Sequence, residues 1–264
     1  PQPLPQSNGM WVFMDANQQD GTATHPISRA FRSGIKEVFT LETESGYTIT
    51  CTSDHKIYTN KGFVPLEKLN TTDHRIYIQS GSGKFSTDAK IPFEVNHLFI
   101  GKNGHHYPNN LPEQWTRELG QTIGWLVGDG WLRSEGKDCR VGFTFAQEDN
   151  EVMKILKPII NRYYGSEITE VLRENGVYHL SYHSKFFMDY FHQLGVMPFD
   201  SGDKIVPESI YQAPKEAVIG FLQGLFTADG TASHDADHSI AYVRLTSKSP
   251  NLLKGVQLLL LNVG

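Results

Sequence analysis

Hydrophobic and polar positions divide the chain into two patterns. Between Gly34 and Ile78 apolar residues alternate with polar ones over short runs. Val38, Phe39 and Leu41 form one run, and Tyr47, Ile49 and Cys51 interleave with Thr48, Thr50 and Thr52 in the next. Period two marks strands half-buried in a sheet, and Ser45-Gly46 supplies a turn between the first pair. Asn60-Lys61-Gly62 precedes Phe63, Val64 and Leu66, and another strand is expected around Arg75 to Ile78. These short strands predict a small all-β unit ending near residue 80. Ahead of them, Pro1 to about Thr24 is rich in Pro, Gln, Asn and Gly with little periodicity, and reads as a linker or the remains of an element. Residues 81–112, rich in Ser, Gly, Asn and Pro, read as a linker between domains. From Glu113 helices alternate with strands, the helices falling at roughly 114–129, 149–164, 184–194, 214–228 and 249–262. Ser249 as N-cap and Pro250 at the first helical position open the last of these. Its apolar Leu258–Leu261 cluster calls for further structure to cover it.

Two segments of this helical half match at a constant offset of 100 residues, Leu119–Gly130 and Ile219–Gly230. Small residues recur every four positions in both: Gly120, Gly124 and Gly128, then Gly220, Gly224 and Ala228. A glycine inside a helix costs about 0.8–1 kcal/mol relative to alanine, so several in one helix need a reason. Spacing of four collects them in a stripe on one face, where two helix backbones can approach closely. Each segment ends in Asp-Gly, and a glycine suits the position just past a helix end. Asp129 and Asp229 are therefore expected in the last turns, against the negative ends of the helix dipoles. Helix packing would bring the two carboxylates together, and their repulsion asks for a cation between them. Oxygen ligands with room for water suit Mg²⁺, which can activate water and stabilise a phosphodiester leaving oxygen.

Leu222–Gly230 is similar to the LAGLIDADG motif of homing endonucleases, and Thr122–Gly130 is a looser copy. Pro207 within Lys204-Ile205-Val206-Pro207, and Leu245-Thr246-Ser247-Lys248 leading into Leu252-Leu253, also resemble that family. The resemblance implies an α+β fold for residues 113–264: two pseudo-two-fold αββαββα repeats, about 113–205 and 206–264, whose β-saddle sits on DNA. Only 34 residues follow Gly230, so the second repeat is expected to be truncated. The implied activity is metal-dependent hydrolysis of phosphodiester bonds in double-stranded DNA at a long target. Asp129 and Asp229 inherit the catalytic, metal-binding role, sharing two or three Mg²⁺ ions; DNA-binding residues are left unassigned. Lys185 and Lys248 share Ser-Lys contexts and are candidates for the lysine that such enzymes often place near the metal, though each also reads as a solvated residue at a helix start.

Upstream, Thr52-Ser53-Asp54-His55 fits the Thr-x-x-His motif of intein splicing domains. Ser33–Phe39, Gly46–Thr50 and Gly62–Leu69 resemble the strands around that motif, so residues 1–80 are expected to be a partial, all-β, Hint-like splicing unit. Thr52 and His55 would then polarise the peptide bond before the first intein residue. A hydroxyl and an imidazole can hold a developing oxyanion and move protons. The chain opens without Cys or Ser and ends without His-Asn, so autocatalytic splicing is expected only of the complete intein, with host exteins as partners in cis.

Composition changes this picture in one respect. The 24 basic and 29 acidic residues give a net charge of −5, and the imbalance of 14 basic against 19 acidic lies in residues 113–264. DNA binding then requires a local basic face rather than a basic domain. The acidic balance also keeps open a splicing element whose nuclease has decayed to a non-cleaving DNA binder. Cys51 and Cys139 lack the spacing of a zinc site or a disulfide framework. The histidines of His105-His106 and His234-Asp235-Ala236-Asp237-His238 read as solvated loop residues. With no apolar run able to span a bilayer and no signal peptide, the expectation is a cytoplasmic monomer with double-stranded DNA as partner and no membrane.

Overall fold

The computed structural model describes residues 11–17, 21–26, 31–79, 81–100, 104–135, 138–235 and 240–264, the first two stretches as backbone alone. It contains two compact units, one of residues 1–84 with 260–264 and the other of residues 85–259.

The first unit is built of hairpins. Strands β1 (Trp11–Asn17) and β2 (Gly21–Pro26) pair antiparallel, Trp11 opposite Pro26. Composition predicts a linker over most of this stretch. The reason for the difference is local: Trp11-Val12-Phe13-Met14 is an apolar run with three strand-favouring residues, and carries no alternation to reveal it. Strands β3 (Phe39–Glu42) and β4 (Thr48–Cys51) flank a turn in which Gly46 has φ +84°. There the Tyr47 amide donates to Thr43 Oγ1 at 3.0 Å. Strands β5 (Lys56–Thr59) and β6 (Gly62–Pro65) form the third hairpin, closed by the Thr59 hydroxyl on the Gly62 carbonyl at 2.9 Å. The strand expected at Arg75–Ile78 is a single bridge, Ile76 to Thr59. Asn60 accounts for this, because its side chain occupies both the Arg75 amide and the Asp73 carbonyl, groups that a ladder would use. Apolar side chains of this unit stay exposed, Ile35 to 93% and Phe63 to 68%.

The second unit starts ahead of the expected boundary. Residues 81–112, expected to form a linker, are packed from Phe85 onward. Ile91 and Leu111 are buried, Phe93 meets the Tyr190 ring edge-on, and the Trp115 amide donates to the Ala89 carbonyl. Isolated apolar residues in a polar stretch show no period, which hides such packing from the sequence. Strands β7 (Leu98–Ile100) and β8 (His106–Pro108) form a hairpin within it. Then follow α1 (Arg117–Asp129), β9 (Gly130–Glu135), β10 (Asp138–Phe145), α2 (Asn150–Tyr164), β11 (Val171–Leu172), β12 (Tyr178–His183) and α3 (Lys185–Gln193). This αββαββα order is followed by the short α4 (Glu208–Tyr211) and by α5 (Lys215–Asp229), β13 (Gly230–Asp235), β14 (Ile240–Leu245) and α6 (Pro250–Val263). Helix starts are capped by side chains: Thr116 accepts from the Leu119 amide, Ser184 from Phe187 and Ser249 from Leu252. Such caps are worth about 1 kcal/mol each.

The four-stranded antiparallel sheet runs β11-β12-β10-β9. Its inner face carries Val141, Phe143, Leu180 and Tyr182, all fully buried, against Phe187 and Phe191 of α3. Trp125 of α1 stacks on Phe145 at 4.7 Å and donates its indole N–H to the Thr144 carbonyl at 3.0 Å. Each such side chain contributes roughly 1.5–3 kcal/mol by leaving water, so α1 is fastened to the sheet along one face while its glycine face remains for another helix. Helices on one face of an antiparallel sheet make this an α+β unit. In the second sheet β14 pairs with β13 alone among the described residues, and Val243 is exposed where the matching Val141 is buried.

Candidate active site at a paired helix end

Helices α1 and α5 meet along their glycine stripes. A Cβ placed on Gly120 would fall 2.1 Å from the Ala217 carbonyl oxygen, and one on Gly124 the same distance from that of Phe221. From the other side, Gly220 stands as close to the Arg117 carbonyl and Gly224 to that of Gln121, each at 2.2 Å. The contacts are reciprocal under the 100-residue offset, so the two helices are related by a local two-fold axis. Four helical glycines sacrifice roughly 3–4 kcal/mol of propensity; backbone packed on backbone, with Cα–H groups facing carbonyls, is what the sequence gains. Arg117 and Gln121 extend the seam outward, both donating to Gln223 Oε1, at 3.0 and 3.2 Å.

This pairing brings the helix ends together. A Cβ on Gly128 would touch Ala228 and lie 3.5 Å from Asp229 Oδ2, so Asp229 stands beside the last turn of α1, which ends in Asp129. Both aspartates are only partly exposed. Burial, then the charges of Asp229 and Asp149, push the Asp129 carboxyl up from 3.8 to about 6 against the opposing pull of Lys204. Burial likewise raises Asp229, again opposed by Lys204. Lys204 is the third member of the group. Its ammonium donates to the Gly128 carbonyl at the end of α1, and its own carbonyl accepts from the Ser249 hydroxyl at 2.6 Å. Burial lowers its pKa while the two aspartates raise it. Neither Lys185 nor Lys248 is among the charges acting on the aspartates. The lysine at this site sits in the Lys204–Pro207 segment, 25 residues ahead of Asp229.

The donor set fits a hard divalent cation. Two carboxylates held together against their repulsion supply oxygen ligands without sulfur or imidazole, and no cluster of three or more His, Cys, Asp or Glu surrounds them among the described residues. Mg²⁺ is commonly held by one or two carboxylates plus waters and substrate phosphate, which is what this pair offers.

The aspartates lead straight into strands, since β9 and β13 begin at Gly130 and Gly230. On the first sheet the register puts Gly142 between Trp131 and Ser181, Arg140 between Arg133 and His183, and Thr144 opposite His179, all on the face away from the core. Trp131 packs against Gly142, where an added Cβ would fall 2.0 Å from the indole. Arg140 pairs with Asp138 on the same face. Burial and the nearby Arg173 lower the pKa of His179. The outer face thus begins two residues from Asp129 and collects two arginines and two histidines. The sequence reading assigns it no role, although the alternation of Trp131 with Arg133, and of Arg140 with Gly142 and Thr144, carries the signal.

Thr52 and His55 belong to the first unit, where a turn after β4 places them together. The His55 amide donates to the Thr52 carbonyl at 3.0 Å, and the Thr52 hydroxyl holds the Asp54 carboxylate, lowering its pKa. The cluster beginning at His234 falls largely outside the described residues. Cys51 and Cys139 are both thiols without a disulfide partner, each partly exposed.

Residues 216–264 match the LAGLIDADG-like domain. The chain is 36% identical over 151 residues to a DNA polymerase of Thermococcus hydrothermalis, covering 56% of this chain and 9% of that protein. It is 24% identical over 251 residues to the replicative DNA helicase DnaB of a Synechocystis strain, covering 90% of this chain and 25% of the helicase. It is 26% identical over 253 residues to a DNA gyrase polypeptide of Mycolicibacterium flavescens, covering 89% of this chain and 39% of the gyrase. The chain thus spans well under half the length of each of these relatives. Residues 216–264 thus carry a LAGLIDADG-like domain. One segment shared by a polymerase, a helicase and a gyrase, as a minor part of each, is the pattern of an inserted element, consistent with an intein.

Proposed function

We propose that this chain is the nuclease-bearing part of an intein and hydrolyses phosphodiester bonds of double-stranded DNA at a specific site. The observation that carries the reading is the reciprocal glycine seam that ends in Asp129 and Asp229 with Lys204 between helix end and loop. Asp129 and Asp229 would hold Mg²⁺, and the ion when bound would supply charge stabilisation to the reacting phosphate and acidify a water. Lys204 offsets the carboxylate charges and presents a donor beside them, suited to a phosphate oxygen that gains charge as the bond breaks. The outer sheet face, with Trp131, Arg133, Arg140, His179 and Ser181, fits the DNA major groove, which admits a β-ribbon and shows a distinct donor and acceptor pattern for each base pair. Arg133 and Arg140, the latter shared with Asp138, place cations locally on this face of a chain whose net charge is −5. In the complete intein, Thr52 and His55 would assist the acyl shift that begins splicing.

The test uses plasmid DNA carrying the uninterrupted form of the host gene, together with Mg²⁺. The expected result is one double-strand break within that gene, lost in Asp129→Asn and in Asp229→Asn while DNA binding persists. Cleavage that survives both substitutions would remove the aspartates from the chemistry. Binding without cleavage by the parent protein would leave a DNA-binding domain whose nuclease has decayed.

A further inference from the structure

A cleft of about 440 Å³ opens between the β7–β8 hairpin, the end of α2 and the junction of β12 with α3. The sequence dictates its walls. Gly165, with φ +85°, ends α2 so closely against β8 that a Cβ there would stand 2.5 Å from the Pro108 carbonyl. The Asn110 amide ties the hairpin to α2 through the Tyr163 carbonyl at 3.2 Å, and the Tyr164 hydroxyl holds the His183 carbonyl at 3.2 Å. Its lining includes His106, His183 and Lys185, with Asn109 and Ser166 as further donors. The apolar part of the lining is Leu111, Phe187 and the stacked rings of Phe99 and Phe186.

Two features give the cleft a meaning. Its 13 lining residues include no carboxylate, in a chain where acids outnumber bases by 29 to 24. It also adjoins the outer sheet face, because His183 lines the cleft and stands opposite Arg140 on that face. Cationic and neutral donors together with apolar and aromatic side chains match a nucleotide, whose phosphate accepts from the donors while its sugar covers the rings. The volume falls within the range of small-ligand sites.

We propose that this cleft holds a backbone phosphate and its nucleoside from the flank of bound DNA, extending the contact beyond the sheet face. The proposal rests on the DNA-binding reading above and gives His106 and Lys185 a role that the aspartate site does not. Phosphate contacts are independent of sequence, so a dye-labelled duplex of arbitrary sequence serves as the probe. Its binding to the full chain is read by fluorescence anisotropy over a series of KCl concentrations. Each phosphate neutralised contributes about −0.9 to the slope of log K against log salt. Lys185→Glu is expected to weaken binding about tenfold at low salt and to flatten the slope by about one. Lys185→Arg should keep both affinity and slope. Lys154→Glu, which makes the same charge change on exposed α2, should leave them near the parent values. If Lys185→Glu weakens binding no more than Lys154→Glu does, the cleft is not a DNA contact, and the sheet-face reading stands without it. If the parent chain binds no duplex even at low salt, the DNA-binding reading falls and this proposal with it.

Discussion

Asp129→Asn removes a charge that the fold holds against its preference, so the variant is expected to be more stable than the parent at neutral pH. The carboxyl is displaced from 3.8 to about 6, first by burial and then by Asp229. A folded-state pKa above the unfolded value means that the folded chain binds the proton more tightly. The parent therefore loses stability as pH rises from about 4 through about 6, and carries the full penalty above that. At 1.36 kcal/mol per pH unit the displacement is worth about 3 kcal/mol. Asp129 keeps some contact with water, and screening brings this to about 1–2 kcal/mol. For a unit of this size that is a rise of roughly 2–8 °C in unfolding midpoint. Thermal unfolding of parent and variant at about pH 4 and about pH 7.5 reads the effect, which should be present at the higher pH and nearly absent at the lower. Mg²⁺ at ten times its dissociation constant should then stabilise the parent by about 1.4 kcal/mol and the variant by much less. A variant no more stable than the parent at neutral pH, or equally stabilised at both pH values, would show that the charge at position 129 is not what the fold resists.

The seam between α1 and α5 predicts a sharp contrast among glycines. Gly124→Val forces side-chain atoms into the Phe221 carbonyl region and should cost more than about 3 kcal/mol in denaturant unfolding, whereas Gly202→Ala, with nothing within 4 Å of the added Cβ, should stay within about 0.5 kcal/mol. Equal costs would remove the close approach from the account. Lys204→Met withdraws the cation that lowers both aspartates, so their pKa values should rise further when the carboxyls are titrated by NMR; unchanged titration would place Lys204 outside the site's electrostatics.

Much of the second unit was legible in the sequence because its helices are long, periodic and capped. The helices expected at 114–129, 149–164, 184–194, 214–228 and 249–262 stand at 117–129, 150–164, 185–193, 215–229 and 250–263, and Ser249 caps the last as its position suggested. The doubled Asp-Gly also located both carboxylates at helix ends, since a repeat with matched small residues carries tertiary information that a lone motif lacks. Lys204 was not legible in the same way. Its place depends on the chain returning to the carbonyl of Gly128, 76 residues earlier, which the family-like Lys204-Ile205-Val206-Pro207 segment does not by itself reveal. Local composition also misled: Pro and Gly on either side of Trp11–Met14 suggested a linker where β1 and β2 pair. The Ser, Gly and Asn of residues 81–112 concealed the single anchors Ile91 and Leu111.

The contacts of Gly120, Gly124, Gly220 and Gly224 are made with main-chain atoms of the facing helix. Main chain is the part of a protein that mutation cannot exchange. Substitutions on the outer sheet face can accumulate while the spacing between Asp129 and Asp229 is inherited, so long as the seam glycines are kept, because main-chain packing along the seam sets it. Under the proposed function, what the protein recognises and where its reaction takes place are specified by different kinds of atoms. A lineage built this way can move from one target to another with its chemistry held constant.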